Sequence, residues 1–179
     1  RLPNFLPDTP AIREDLAHYH DFIARMDAEC GALLALLESR GLTSNTVIFF
    51  TGDNGMPFPG AKGTCYDPGI HVPLIVKWPG MTKPGEVRSE LISHVDFAPT
   101  WLDIAGAPVP PKMQGKISTG LWKSGGFVPR EAVFSERNWH DNFDPIRSVR
   151  TKRFKLIFNA VPHFPYRPAW DLEGSPSWS

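Results

Sequence analysis

Residues 46–80, TVIFFTGDNGMPFPGAKGTCYDPGIHVPLIVKWPG, contain a strand, a turn and a second strand in one short run. Val47 to Phe50 are continuously apolar and β-branched or aromatic, as in a strand covered on both faces, and Pro73 to Trp78 repeat the pattern before Pro79-Gly80 closes it. The first strand runs directly into Asp53-Asn54-Gly55. In open α/β sheets ligands collect outside the carboxyl ends of strands. A carboxylate and an amide carbonyl there supply hard oxygen ligands, Gly55 lets the backbone turn, and Lys62 brings a positive charge within loop reach of a bound anion. The same tripeptide is ordinary turn chemistry, and the local sequence weighs the two readings evenly. Calcium takes about six to eight oxygens and magnesium about six, so a metal site needs ligands from elsewhere. No Cys/His cluster has zinc spacing.

Upstream, Thr9-Pro10 reads as an N-cap followed by proline at the first helical position. Leu16, Tyr19, Ile23, Met26, Cys30, Leu33 and Leu37 then recur at spacings of three and four, predicting one long amphipathic helix that stops near Gly41. Helix, strand, loop and strand make an α/β layout with a largely parallel sheet. Downstream, His94 to Ala105 predict a second helix, entered at Asp96, with Pro99 in its first turn and Gly106 ending it. Residues 107–130 are rich in Pro, Gly, Lys and Ser and read as a linker or surface excursion. Ala132 to Ser135, Ile146 to Thr151 and Phe154 to Asn159 read as short antiparallel strands, the last two joined by a turn at Lys152-Arg153. From Val161 onward no periodicity is visible, and that stretch reads as irregular.

Lys+Arg and Asp+Glu balance at 19 each, which gives no electrostatic footprint for nucleic acid or an anionic membrane. No apolar run is long enough for a membrane span. Cys30 falls on the apolar helix face and Cys65 in the loop after Lys62, so both read as unpaired. The opening RLPNFLPDTP has neither an initiator Met nor a signal-like apolar core, and the chain reads as an interior segment of a longer protein.

Several spaced motifs in order carry a family resemblance. They are Arg25-Met26-Asp27 and Gly31, Asn45-Thr46, Thr51-Gly52-Asp53-Asn54-Gly55, Lys62-Gly63-Thr64, Pro68-Gly69-Ile70, Val72-Pro73-Leu74-Ile75-Val76 and Trp78-Pro79-Gly80. His94-Val95-Asp96, Pro99-Thr100, Ser135-Glu136, Arg147-Ser148-Val149-Arg150 and Phe154-Lys155-Leu156-Ile157 continue the series. Together they resemble the C-terminal half of the sulfatase catalytic domain, of the alkaline-phosphatase-like superfamily. Phe5-Leu6-Pro7-Asp8-Thr9-Pro10 and the Met56-Pro57-Phe58-Pro59 that follows Gly55 look most like the heparan N-sulfatases, or N-sulfoglucosamine sulfohydrolases. The implied fold is an α/β domain followed by a small antiparallel α+β subdomain. Residues 1–106 would be the end of the catalytic domain, 107–130 the linker or excursion, and 131–179 the start of the subdomain.

The resemblance implies roles residue by residue. Asp53 and Asn54 match the pair that completes a calcium site, and Lys62 matches the basic residue contacting the sulfate. Human-type sulfamidases look to have arginine there; lysine is a point charge where arginine is a bidentate fork. The cluster Glu136-Arg137-Asn138-Trp139-His140-Asp141, placed just after a predicted strand, combines groups that hydrogen-bond and stack on a sugar, with His140 and Asp141 as substrate contacts. His71 stands where many sulfatases have a structural arginine, and Arg147 reads as a brace of the small sheet. His18, His20, His94 and His163 carry no motif.

The implied reaction is hydrolysis of N-linked sulfate from glucosamine of heparan-type chains. Its nucleophile resembles a hydrated formylglycine made within Cys/Ser-x-Pro-x-Arg, a motif that neither Cys30 nor Cys65 begins; formylglycine and the first metal ligands are therefore expected upstream. The segment is expected to be inert alone. O-sulfatase, phosphodiesterase or phosphonate monoester hydrolase activity of the same superfamily, and a non-catalytic carbohydrate-binding role, stay open. The implied partner is a sulfated sugar, with a homodimer open for the full-length form. Family analogy suits a lysosomal, periplasmic or secreted setting.

Overall fold

The structure, a computed structural model, describes residues 2–123 and 126–178; positions 124 and 125 of the 107–130 stretch, and the two terminal residues, lie outside it. Helix α1 spans Pro10–Ser39 and begins as its sequence predicts, with Ile12 N–H donating to Thr9 Oγ1 at 3.3 Å. It ends at Gly41, whose φ of 66° suits glycine. Gly41 N–H donates to the Glu38 carbonyl and Leu42 N–H to that of Leu37, both at 2.9 Å, satisfying carbonyls the helix leaves open. Ile12 and Leu16 pack with Leu6 and Phe58 in a small core, and Tyr19 meets the Phe58 ring edge-on at 5.8 Å. Farther along, the predicted apolar face lies open, with Leu33 59% and neighbouring Phe22 67% exposed.

Strands β1 (Ile48–Thr51) and β2 (Leu74–Lys77) form where expected, but they pair antiparallel, Phe49 opposite Val76 and Phe50 opposite Ile75. The parallel pairing expected from the helix–strand–loop–strand order is thus corrected for this pair. A parallel pair needs a crossover, usually a helix lying across the sheet. Here the connection holds only α2, the four residues Asp67–Ile70, and folds back on itself to return the chain to the end of β1.

Phe49 anchors this hairpin, its ring lying 6.3 Å from Phe97, 6.0 Å from Trp101 and 5.6 Å from Trp122. Phe97 and Trp101 belong to α3 (Phe97–Ile104), which a 3-10 turn at His94–Asp96 introduces. Asp96, expected to cap the helix, does more. Only 1% exposed, its carboxylate accepts from the N–H groups of Ser93 at 3.1 Å and Lys116 at 2.7 Å and pairs with the Arg130 guanidinium. Burial pushes this carboxyl upward, but Arg130 and the two N–H groups outweigh it and hold it below the usual carboxylate range. Ser118 N–H also donates to Thr100 Oγ1 at 2.9 Å, and Thr119 Oγ1 to Asp103 at 2.6 Å. The stretch read as a linker or excursion is fastened to α3 and its entry turn at Lys116, Ser118, Thr119 and Arg130.

Strands β3 (Val133–Trp139), β4 (Phe143–Arg150) and β5 (Lys155–Asn159) form an antiparallel sheet in that order. β3 extends beyond its predicted end, so Glu136 to Trp139 lie on the strand rather than after it, with His140 and Asp141 beyond its last residue. Ser135 to Asn138 are all polar, which hid this half of the strand from an apolar count. Asp67 of α2 ties the sheet to the β1–β2 loop, accepting from Arg150 and Lys155, each at 2.8 Å.

Candidate active site

The turn after β1 is held by backbone. Gly55 N–H donates to the Gly69 carbonyl at 2.8 Å, and a Cβ at residue 55 would lie 1.7 Å from the Pro68 carbonyl oxygen. Gly55 is not among the glycines with positive φ, so its role differs from the turning expected of it: only glycine lets α2 approach this closely. Asp53 and Asn54 are exposed at the tip. Asp53 Oδ1 accepts from Asn54 N–H at 2.9 Å, and Asn54 Nδ2 donates to the Gly55 carbonyl at 2.7 Å. Among the described residues nothing donates to Asp53 Oδ2 or Asn54 Oδ1, leaving two hard oxygens available to a cation. Among the described residues no group of three or more His, Cys, Asp or Glu could complete a metal site. The pair therefore fits a contribution to an oxygen-ligated ion.

Phe58 explains the apolar run after the turn. Its ring is 2% exposed in the core with Ile12 and Leu16, so the Met56-Pro57-Phe58-Pro59 segment is anchored under α1. From that anchor a turn closes with Ala61 N–H on the Phe58 carbonyl, and Lys62 N–H donates to the Met56 carbonyl at 3.1 Å. Lys62 is thereby set on the wall of a cleft of about 1750 Å³ that Asp53, Asn54, Trp139 and His140 also line. Cys65 is buried just beyond, and both cysteines are free.

The far wall comes from β3. His140 Nδ1 lies 2.8 Å from Asp141 Oδ2, and the same oxygen accepts from Trp170 N–H at 2.7 Å. Asp141 thus engages both His140 and the backbone of Trp170, and it is His140 that lines the cleft. The Trp170 N–H holds the Asp141 carboxyl below the usual range, with His140 and the nearby charge of Lys62 adding to it. A carboxylate on Nδ1 places the proton there and leaves Nε2 as the available ring nitrogen. Arg147 pairs with Glu136 at 3.3 Å and reaches Asn138 Oδ1 at 2.5 Å, bracing the sheet as its sequence position suggested. His71 is exposed, and its N–H donates to the Asp67 carbonyl at 2.8 Å.

Two contributors, Asp67 and Asp171, were not singled out from sequence, and Arg137 was named there only within the sugar-contact cluster. Arg137 pairs with Asp144 and donates to the Gly63 carbonyl, fixing the Lys62 loop to β3. Desolvation pushes its guanidinium below its ordinary value. Asp67 clamps the two sheets, and Asp171 pairs with Lys62 from the stretch read as irregular. Each reaches a residue far away in the chain, a pairing that no local pattern marks.

Residues 3–107 match the sulfatase family, and residues 61–176 match the C-terminal region of N-sulphoglucosamine sulphohydrolase. An ulvan-active sulfatase of Formosa agariphila is 39% identical over 92% of the chain and 27% of its own length. Human N-sulphoglucosamine sulphohydrolase is 33% identical over 99% of the chain and 37% of its own length. A solved structure described as bound to its substrate D-glucosamine-2-N,6-O-disulfate superposes with a TM-score of 0.69 at 33% identity, covering 75% of this chain and 29% of its own. The chain thus spans roughly a third of the length of these relatives. With the sulfatase match covering more than half of its residues, the α/β layout and the Asp53–Lys62 loop in place, the chain belongs to the sulfatase family.

Proposed function

We propose that these residues form part of a sulfatase that hydrolyses N-linked sulfate from glucosamine units of heparan-type glycosaminoglycan. One observation carries this reading: Asp53, Asn54, Lys62 and His140, drawn from distant parts of the chain, line a single cleft. The likeness to human N-sulphoglucosamine sulphohydrolase, and to a structure holding a glucosamine carrying N- and O-sulfate, supports the substrate class.

In this reading Asp53 and Asn54 give two oxygens to a calcium ion, which when bound supplies positive charge to the sulfate oxygens. Lys62 contacts the sulfate, and its ammonium stabilises negative charge there. His140 offers Nε2 to a sugar hydroxyl, while Asp141 orients the imidazole from behind rather than touching substrate. Trp139, exposed on the same wall, offers a flat face for the sugar ring. The nucleophile and remaining metal ligands lie in other parts of the full-length protein. Residues 1–106 belong to the catalytic domain, 107–130 connect, and 131–179 open the smaller subdomain. The Asp67 and Arg137 contacts cross that division, so the two parts share one site.

The test is turnover by the full-length protein on N-sulfated glucosamine, an O-sulfated sugar and a phosphodiester side by side. The N-sulfated substrate should turn over fastest, and these 179 residues alone should show none. Preference for the O-sulfated sugar or the phosphodiester would overturn the substrate assignment, and turnover by the segment alone would overturn the division of the site.

A further inference from the structure

Lys62 is already paired. Its ammonium meets Asp171 Oδ2, a carboxylate 109 positions away in sequence. The segment carrying Asp171 is seated: Ala169 and Leu172 are each 3% exposed, and Trp170 N–H is bonded to Asp141. A carboxylate held at both ends of its own turn, and more open to water than the lysine it faces, is a fixed part of the site's charge.

We infer that Asp171 is the counter-charge that sets how strongly Lys62 holds an oxyanion in the cleft. It is a positioning residue that acts through Lys62, and the inference rests on the reading of Lys62 as the sulfate contact. Lysine carries a point charge on a flexible four-carbon stem, and the Asp171 carboxylate confines that charge to one place. An arriving oxyanion meets the ammonium together with a nearby negative charge, so its attraction is reduced. Binding that is equally strong for substrate and product gives no rate advantage, and weakening it at Lys62 lets sulfate leave.

The experiment uses the full-length enzyme, with inorganic sulfate as a competitive inhibitor of turnover of N-sulfated glucosamine. Asp171→Asn should lower the sulfate inhibition constant roughly three- to tenfold by removing the opposing charge. Asp171→Glu should restore the wild-type constant, and Lys62→Gln should raise it. In the Lys62→Gln background Asp171→Asn should have no further effect, an outcome a merely structural role would not produce. An unchanged or raised constant in Asp171→Asn, or the same shift persisting without Lys62, overturns this inference alone. An unchanged constant in Lys62→Gln instead overturns the reading of Lys62, and with it the inference.

Discussion

Gly55 and Pro68 approach so closely that a Cβ on the glycine would sit 1.7 Å from the Pro68 carbonyl oxygen. The turn bearing Asp53 and Asn54 is therefore located by backbone contact with α2. Gly55→Ala forces the two segments apart, at a cost of about 1–3 kcal/mol typical of overpacking. The expected result in the full-length protein is a lower unfolding temperature and weaker calcium binding. Unchanged calcium affinity in this variant would show that the approach does not position the ligands.

Asp53 and Asn54 offer oxygens that nothing in the described structure engages. A ligand that binds only the folded state raises its stability by roughly 2.7 kcal/mol at a hundred times its dissociation constant. Calcium should raise the melting temperature of the wild-type full-length protein. Asp53→Ala with Asn54→Ala should abolish that rise, and activity surviving the double change would undo the metal assignment.

Asp67 joins the two sheets through Arg150 and Lys155. The Lys155 hydrogen bond holds its carboxyl below the ordinary range, so its contribution is present above the unfolded value of about 3.9 and is lost as pH falls through the lowered folded value. Asp67 is 42% exposed, and solvent screening limits the effect of Asp67→Asn to about 1 kcal/mol near neutral pH. The difference between wild type and variant should shrink toward zero in acid, as read by urea unfolding across pH. A constant difference at every pH would sink the electrostatic account.

Asp96 holds residues 107–130 against α3. Removing its carboxylate leaves the half-buried Arg130 and the N–H groups of Ser93 and Lys116 without their acceptor, which costs about 1–3 kcal/mol. Asp96→Ala should make the 107–130 stretch the first site of proteolytic cleavage, whereas the wild type should resist there. Equal cleavage rates would mean that the stretch does not depend on Asp96.

How far the sequence could be read depended on the range of the interactions. Helix α1, its Thr9 cap and its stop at Gly41 were legible because caps and periodicity involve residues three to five apart. β1 and β2 were legible as apolar runs, and β5 with most of β4 as short strands flanking the turn at Lys152-Arg153, although β4 begins earlier, at Phe143. The polar half of β3 was not, since burial on one face there falls on Ser135 and Arg137 rather than on apolar residues.

The residue types of the site, the turn at Asp53-Asn54, the lysine at position 62 and the membership they point to were determined by the sequence itself, because each is a local motif in a fixed order. Tertiary structure decided the rest. It made β1 and β2 antiparallel, because their connection folds back instead of crossing the sheet. It joined Asp141 to Trp170 and brought Asp171 to Lys62. It also required glycine at 55 for close packing rather than for a turn. Each of these is a contact between segments far apart in the chain, and it exists only once the intervening residues are folded.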